Sequence, residues 1–208
     1  MNIPVVYEDD WLMVIDKPAG LLTIPTPKME KRTLISILND DLRTKGASFL
    51  MHPCHRLDRD TSGLIIFAKG KSIQKKIMEL FKGRKIKKKY LAFVSGNLSK
   101  EEGEIKNSIE GLAAKTNYRV IEKRKGFSIV EIEPATGRTN QIRIHFKQIG
   151  HPILGESKYA FRKDFEIKAK RLCLHAAEVE FTHPINKKQV HLYSDLPKDM
   201  QEFLKQHN

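Results

Sequence analysis

His55-Arg56-Leu57-Asp58-Arg59-Asp60-Thr61-Ser62-Gly63-Leu64-Ile65-Ile66 sets a carboxylate between two arginines, passes a Thr-Ser-Gly turn and enters an apolar stretch. The uninterrupted run Leu64 to Ala68 predicts a strand buried on both faces, and so a sheet inside a mixed fold. Asp, Ser and Gly ahead of a β run are also ordinary turn chemistry. Taken alone, the stretch reads either as a structural turn or as a loop presenting a reactive carboxylate.

Outward from this strand, Lys71 to Phe81 predicts an amphipathic helix, with Ile73, Ile77, Leu80 and Phe81 on one face and lysines on another. Upstream, Val5 to Tyr7 and Trp11 to Ile15 read as two short strands about an acidic turn. Thr33 is placed to cap a helix carrying Leu34, Leu38 and Leu42, which Gly46 ends. Downstream, Tyr90 to Val94, Glu104 to Ile109, Thr116 to Ile121 and Phe127 to Ile132 have strand character, punctuated by glycines. A hairpin is expected around His183 to Asn186, and a terminal helix over Pro197 to Gln206. Ile142, Ile144 and Phe146 alternate like a strand, while Ile142, Phe146 and Ile149 fit a helical face, so pattern leaves that segment open. Periodicity supports an α+β class and no more.

The chain of 208 residues is long enough to bury a sizeable core and is read as one domain. With 40% apolar residues and regular strand-like runs, disorder is excluded despite 30% charged residues. The longest aliphatic stretch is far too short to span a bilayer, and the amino terminus carries Glu8, Asp9 and Asp10 where a basic leader would stand, so a soluble, cytoplasmic protein with no membrane partner is expected. Cys54 and Cys173 lack C-x-x-C spacing, and the eight histidines lack metal-ligand spacing. No glycine-rich nucleotide loop is present, so neither metal nor cofactor is implied. The net charge of +13 favours a polyanionic partner through counterion release. It is concentrated between Lys71 and Tyr90, where nine basic residues face a single acid, Glu79.

Further segments recur in a telling order: Lys17-Pro18-Ala19-Gly20-Leu21, Lys88-Lys89-Tyr90-Leu91-Ala92-Phe93-Val94-Ser95-Gly96, Gly137-Arg138-Thr139-Asn140-Gln141-Ile142-Arg143, Gly150-His151-Pro152-Ile153-Leu154-Gly155 and Leu172-Cys173-Leu174-His175-Ala176. With the His-Arg-Leu-Asp stretch, they resemble the signature segments of the RluA-type RNA pseudouridine synthases over about residues 3 to 184. The resemblance implies a mixed α+β catalytic fold with a largely antiparallel central sheet and flanking helices. It also decides for a helix over Ile142 to Ile149, closed by Gly150, with Arg138 ahead of it and Arg143 within it, off the apolar face. The family often carries an amino-terminal S4 domain. Here Lys-Pro-Ala-Gly begins at residue 17, so none is expected, and residues 1–208 are read as one catalytic domain that holds RNA by itself.

By the same resemblance Asp58 is the catalytic carboxylate, Arg143 the cation that orients it, and Tyr90 the ring against a flipped uracil. Such a reaction breaks the base–sugar bond, turns the base and rejoins carbon 5 to the sugar without redox change, so no cofactor is needed. A carboxylate suits it as nucleophile or base, and attack on the sugar, proton abstraction and attack on the ring all stay open. Burial raises a carboxyl pKa, which is why a guanidinium partner is required. Arg56 is the implied wedge in the base stack or a phosphate contact. Arg138 is assigned to phosphate, with Lys85, Lys87 and Lys88 on the RNA track. Ile142 and Leu174 are either pocket walls or core.

Asn140, Glu156 and Ala160 depart from the family's usual histidine, aspartate and glycine, which bears on the target more than on the reaction. The expected partner is ribosomal or transfer RNA, with no obligate protein partner and a monomer as the default. The alternative is a non-catalytic RNA-binding protein that keeps the fold. A metal-dependent nuclease using Asp58 and Asp60 lacks the additional acids a hydrated ion requires.

Overall fold

A computed structural model describes residues 3–207 as a mixed α+β chain with a largely antiparallel sheet. It comprises two compact units, residues 1–87 with 178–194, and residues 88–177 with 195–208.

In the first unit, β1 (Val5–Glu8) pairs with β2 (Leu12–Lys17), and β2 pairs with β4 (Ser62–Lys69) in the register Val14↔Ile66 and Ile15↔Ile65. Every residue from Ser62 to Ala68 is buried, as a two-faced interior strand requires. On one face Leu64, Ile66 and Ala68 join Leu12, Val14 and Ile77, the last from α2 (Lys71–Lys82). Ile73, Leu80 and Phe81 pack on that cluster, so the predicted apolar face is the one that docks. Fully burying each large aliphatic contributes about 1.5–3 kcal/mol, and Ile66→Ala would cost about 2–5 kcal/mol. A short β3 (Met51–Pro53) covers the far end of β4. In α1 (Leu34–Thr44), Thr33 caps the helix as expected, and the structure adds a reciprocal bond to Ser36.

The second unit orders its strands β5 (Lys87–Ser95), β8 (Phe127–Pro134), β7 (Thr116–Arg124) and β6 (Glu102–Ile105), with Lys87 at the unit boundary. Phe93, Phe127 and Phe203, the last from α4 (Lys198–Gln206), have ring centroids 5.6–5.9 Å apart, and this aromatic triad anchors the terminal helix. Helix α3 (Gln141–Gln148) confirms the helical choice, with Gly150 at φ +82° just beyond its end. Strand β9 (Leu174–Thr182) contributes its earlier residues to this unit and its later ones to the first, where β10 (Gln189–Tyr193) pairs with it to complete the expected hairpin. Among the described residues, no helix is long and apolar enough to cross a membrane.

Candidate active site

The loop from Cys54 to Thr61 leaves β3 and enters β4, and few of its backbone groups have a strand to pair with. Side chains take over that role. His55 Nε2 accepts from Ile66 N at 3.0 Å, which makes it an unprotonated ring nitrogen serving the strand. The Thr23 hydroxyl donates to Leu57 O at 3.0 Å and accepts from Leu57 N at 3.3 Å. Lys17, at 0% exposure, donates its ammonium to the carbonyls of Pro18 and Leu21 at 2.8 Å and of Arg59 at 3.0 Å. Gly20 N also reaches Arg59 O, at 2.8 Å, from a backbone at φ +82° that favours glycine. Thr61 N closes a turn onto Asp58 O at 3.2 Å. Asp58 stands at the crest of this loop, half-buried, between exposed Arg56 and Arg59. The neighbouring residues on either side are thus held by the segment from Lys17 to Thr23, whose Lys-Pro-Ala-Gly part is otherwise visible only as a sequence match. A buried polar group left unmet would cost about 1–3 kcal/mol, so these bonds fix the loop.

In the second unit, α3 opens at Asn140, whose φ of 54° lies in the left-handed region that asparagine tolerates better than most residues. Gln141 clasps the preceding turn: its Oε1 accepts from Thr136 Oγ1 and Arg138 N, and its Nε2 donates to Lys115 O and Thr116 Oγ1. Arg143 is only 8% exposed. Its Nε and Nη2 donate to the two oxygens of Glu156, each at 2.7 Å, and Nη1 donates to Asn140 Oδ1 at 3.2 Å. Asn140 Nδ2 donates to Tyr159 Oη at 2.7 Å, and the guanidinium carbon lies 5.4 Å from the centroid of the Tyr159 ring. Burial pushes the Glu156 carboxyl up. The Arg143 bonds and charge, with the backbone N–H groups of Lys158 and Tyr159, outweigh it and hold the group below the usual glutamate value. Gly155 makes this turn possible, because a Cβ there would sit 1.9 Å from Arg171 O.

Arg143, which pattern and resemblance put off the apolar face of its helix, is nonetheless buried, and Glu156 supplies the opposite charge there. Sequence reasoning misses Glu156 and Tyr159 as its partners. The one signal available is that Glu156 and Asn140 depart from the family pattern. Tyr90, Ile142 and Leu174 are all buried, at 8%, 7% and 3% exposure, on β5, α3 and β9. His145 is a structural histidine: fully buried, it accepts from Thr116 Oγ1 through Nδ1 and donates to Asn107 O through Nε2, and burial pushes its pKa down.

The basic residues divide. Arg138 is exposed and donates Nε to Ala113 O at 3.2 Å. Lys85 is exposed and, with Lys76, Glu79, Leu80, Pro184 and Lys187, lines a groove of about 390 Å³ in the first unit. Lys87 is exposed but paired with Glu180 at 3.1 Å. Lys88 is half-buried, burial pushes its pKa down, and the strand pleat puts it on the face of Tyr90. Its neighbour Lys89 faces the other way, toward Glu131 at 3.6 Å.

The family described as RNA pseudouridylate synthase matches residues 11–148, a range that runs through both units. The chain is 32% identical to the uncharacterized RNA pseudouridine synthase YlyB of Bacillus subtilis, over 98% of this chain and 72% of that protein. It is 35% identical to the dual-specificity RNA pseudouridine synthase RluA of Vibrio cholerae, over 88% of this chain and 78% of that protein. It is also 32% identical to the ribosomal large subunit pseudouridine synthase D of Zymomonas mobilis, over 98% and 72%. The solved structure of human RNA Pseudouridylate Synthase Domain Containing 4 superposes over 97% of this chain and 91% of its own, with a TM-score of 0.81 at 24% identity, so the fold is shared.

Proposed function

This chain belongs to the RluA-type RNA pseudouridine synthases, isomerases that convert uridine in RNA to pseudouridine, and we propose that Asp58 is its catalytic carboxylate, acting on a uridine of ribosomal or transfer RNA. The observation that carries this reading is the construction of the Asp58 loop. A half-buried carboxylate stands between two residues whose backbones are tied down by Lys17, Gly20 and Thr23. A buried ammonium and a buried hydroxyl, both from a distant segment of the chain, hold the backbone on either side of this one carboxylate.

The reaction breaks N1–C1′, rotates the uracil, joins C5 to C1′ and moves the C5 proton away while N1 regains one, so base and sugar keep their composition. Asp58 serves as nucleophile or base in the bond-breaking step, and either role needs it ionised. Arg143 is assigned as the cation that keeps it so. Glu156 takes the Nε–Nη2 edge of the guanidinium, and a guanidinium carries five N–H donors in a rigid fork, so the same group can orient a second carboxylate. Tyr90 offers a ring on which uracil can turn, since stacking does not demand one orientation. Ile142 and Leu174 add apolar surface to that pocket, and Lys88 shares the face of Tyr90.

Arg56, exposed two residues before Asp58, is the side chain that fills the stack as the base leaves it. Arg138 and Lys85 take phosphates, and Lys87 joins them by exchanging Glu180 for RNA. The chain acts as a single catalytic domain, as a monomer and without a cofactor, on RNA in the cytoplasm. The test is pseudouridine mapping in cells with and without the protein. One site lost from ribosomal or transfer RNA is the expected result, and an unchanged map in both would contradict it.

A further inference from the structure

We propose that Thr23 is a positioning residue for Asp58, an inference that rests on Asp58 being the catalytic carboxylate. Thr23 is 2% exposed and lies 34 positions from Leu57, yet its hydroxyl engages both the N–H and the C=O of that residue. One side chain thereby does for Leu57 what a neighbouring strand does for a residue in a sheet. Leu57 is itself buried, so its backbone has no recourse to water. The peptide that leaves Leu57 leads directly into Asp58, and any rotation there swings the carboxylate. On the far side, Arg59 O is held by Lys17 and Gly20. The Thr23 anchor is firm in turn, because Thr23 O accepts from Ile35 N at 3.1 Å and Leu22 O from Leu34 N at 2.8 Å. The first turn of α1 is therefore joined through Thr23 to the residue before the reacting group.

Thr23→Val keeps the branched shape and deletes only the hydroxyl, whereas Thr23→Ser keeps the hydroxyl and deletes a methyl. The readouts are single-turnover tritium release from whole-cell RNA labelled at uracil carbon 5 and lacking this modification, filter binding of the same RNA, and a thermal melt. Thr23→Val should react about 10- to 100-fold more slowly, the scale of misplacing a reacting group by about 1 Å. Its RNA affinity should be unchanged, since no charge is altered. Thr23→Ser should restore the rate. A wild-type rate in Thr23→Val, or a Thr23→Ser variant equally slow, would overturn the proposal. If the valine variant fails to fold, Thr23→Ala against Thr23→Ser reads the same hydroxyl, and equal rates in that pair would overturn it. Asp58→Asn in the same assay separates the two layers. An active Asp58→Asn removes the catalytic premise, while an inactive one beside a fully active Thr23→Val removes only the positioning role.

Discussion

Arg143 and Glu156 meet edge to edge, Nε to Oε2 and Nη2 to Oε1 at 2.7 Å each, with side-chain exposures of 9% and 1%. Such a pair fixes the plane of the guanidinium. Removing one partner leaves a buried charge without its complement, so Glu156→Ala should lose about 3–5 kcal/mol in urea melts. The double variant Arg143→Met/Glu156→Leu should recover much of that stability and remain inactive, because packing can replace the pair but not the fork. Recovery of activity in the double variant would exclude a role for Arg143 in the reaction.

The same pair has a signature in pH. Glu156 titrates below its ordinary value of 4.5 when folded, so the unfolded chain binds the proton more readily. Its stabilising contribution is complete above the ordinary value and is lost as pH falls through the folded pKa. Unfolding free energy of the wild type should therefore drop on acidification through this window, and more steeply than that of Glu156→Gln. Parallel curves for the two would show that Glu156 does not carry this linkage.

Arg143→Lys keeps the charge and loses the planar fork. Turnover should fall about 100-fold while RNA affinity holds, since misplacing a reacting group by about 1 Å costs that much. A near-normal single-turnover rate would remove Arg143 from the reaction.

Local pattern reaches the elements whose period is clean. Leu64 to Ala68, the α2 face and the Thr33 cap all rest on residues within one or two turns of each other, and each lies where periodicity or capping chemistry puts it. Periodicity leaves Lys87 to Lys89 out of β5, because three charged residues mask alternation although the pleat divides them between two faces, and only the motif brings Lys88 and Lys89 into the strand. Met51–Pro53 is too short to show a period and ends in proline. The site is legible only through its motif residues. The groups that hold them are not, because Glu156 lies 13 positions from Arg143 and Thr23 lies 34 from Leu57, and no periodicity links such distant partners.

RNA affinity should fall with salt, and the lysines that line the groove, Lys76, Lys85 and Lys187, test where that dependence arises. Replacing all three by Gln should flatten the log-log salt slope by about 0.7 to 0.9 for each phosphate that these lysines neutralise. An unchanged slope would place the RNA track elsewhere.

The central claim is that Asp58 performs the isomerisation, and Asp58→Asn tests it most directly, since the amide keeps the size and removes charge and nucleophilicity. The measurement is tritium release from carbon-5-labelled whole-cell RNA lacking the modification, run beside filter binding. Pseudouridine formation should fall by at least about 1,000-fold, the scale of deleting a catalytic nucleophile, while RNA binding is retained or tightened. Wild-type activity in Asp58→Asn would contradict the account.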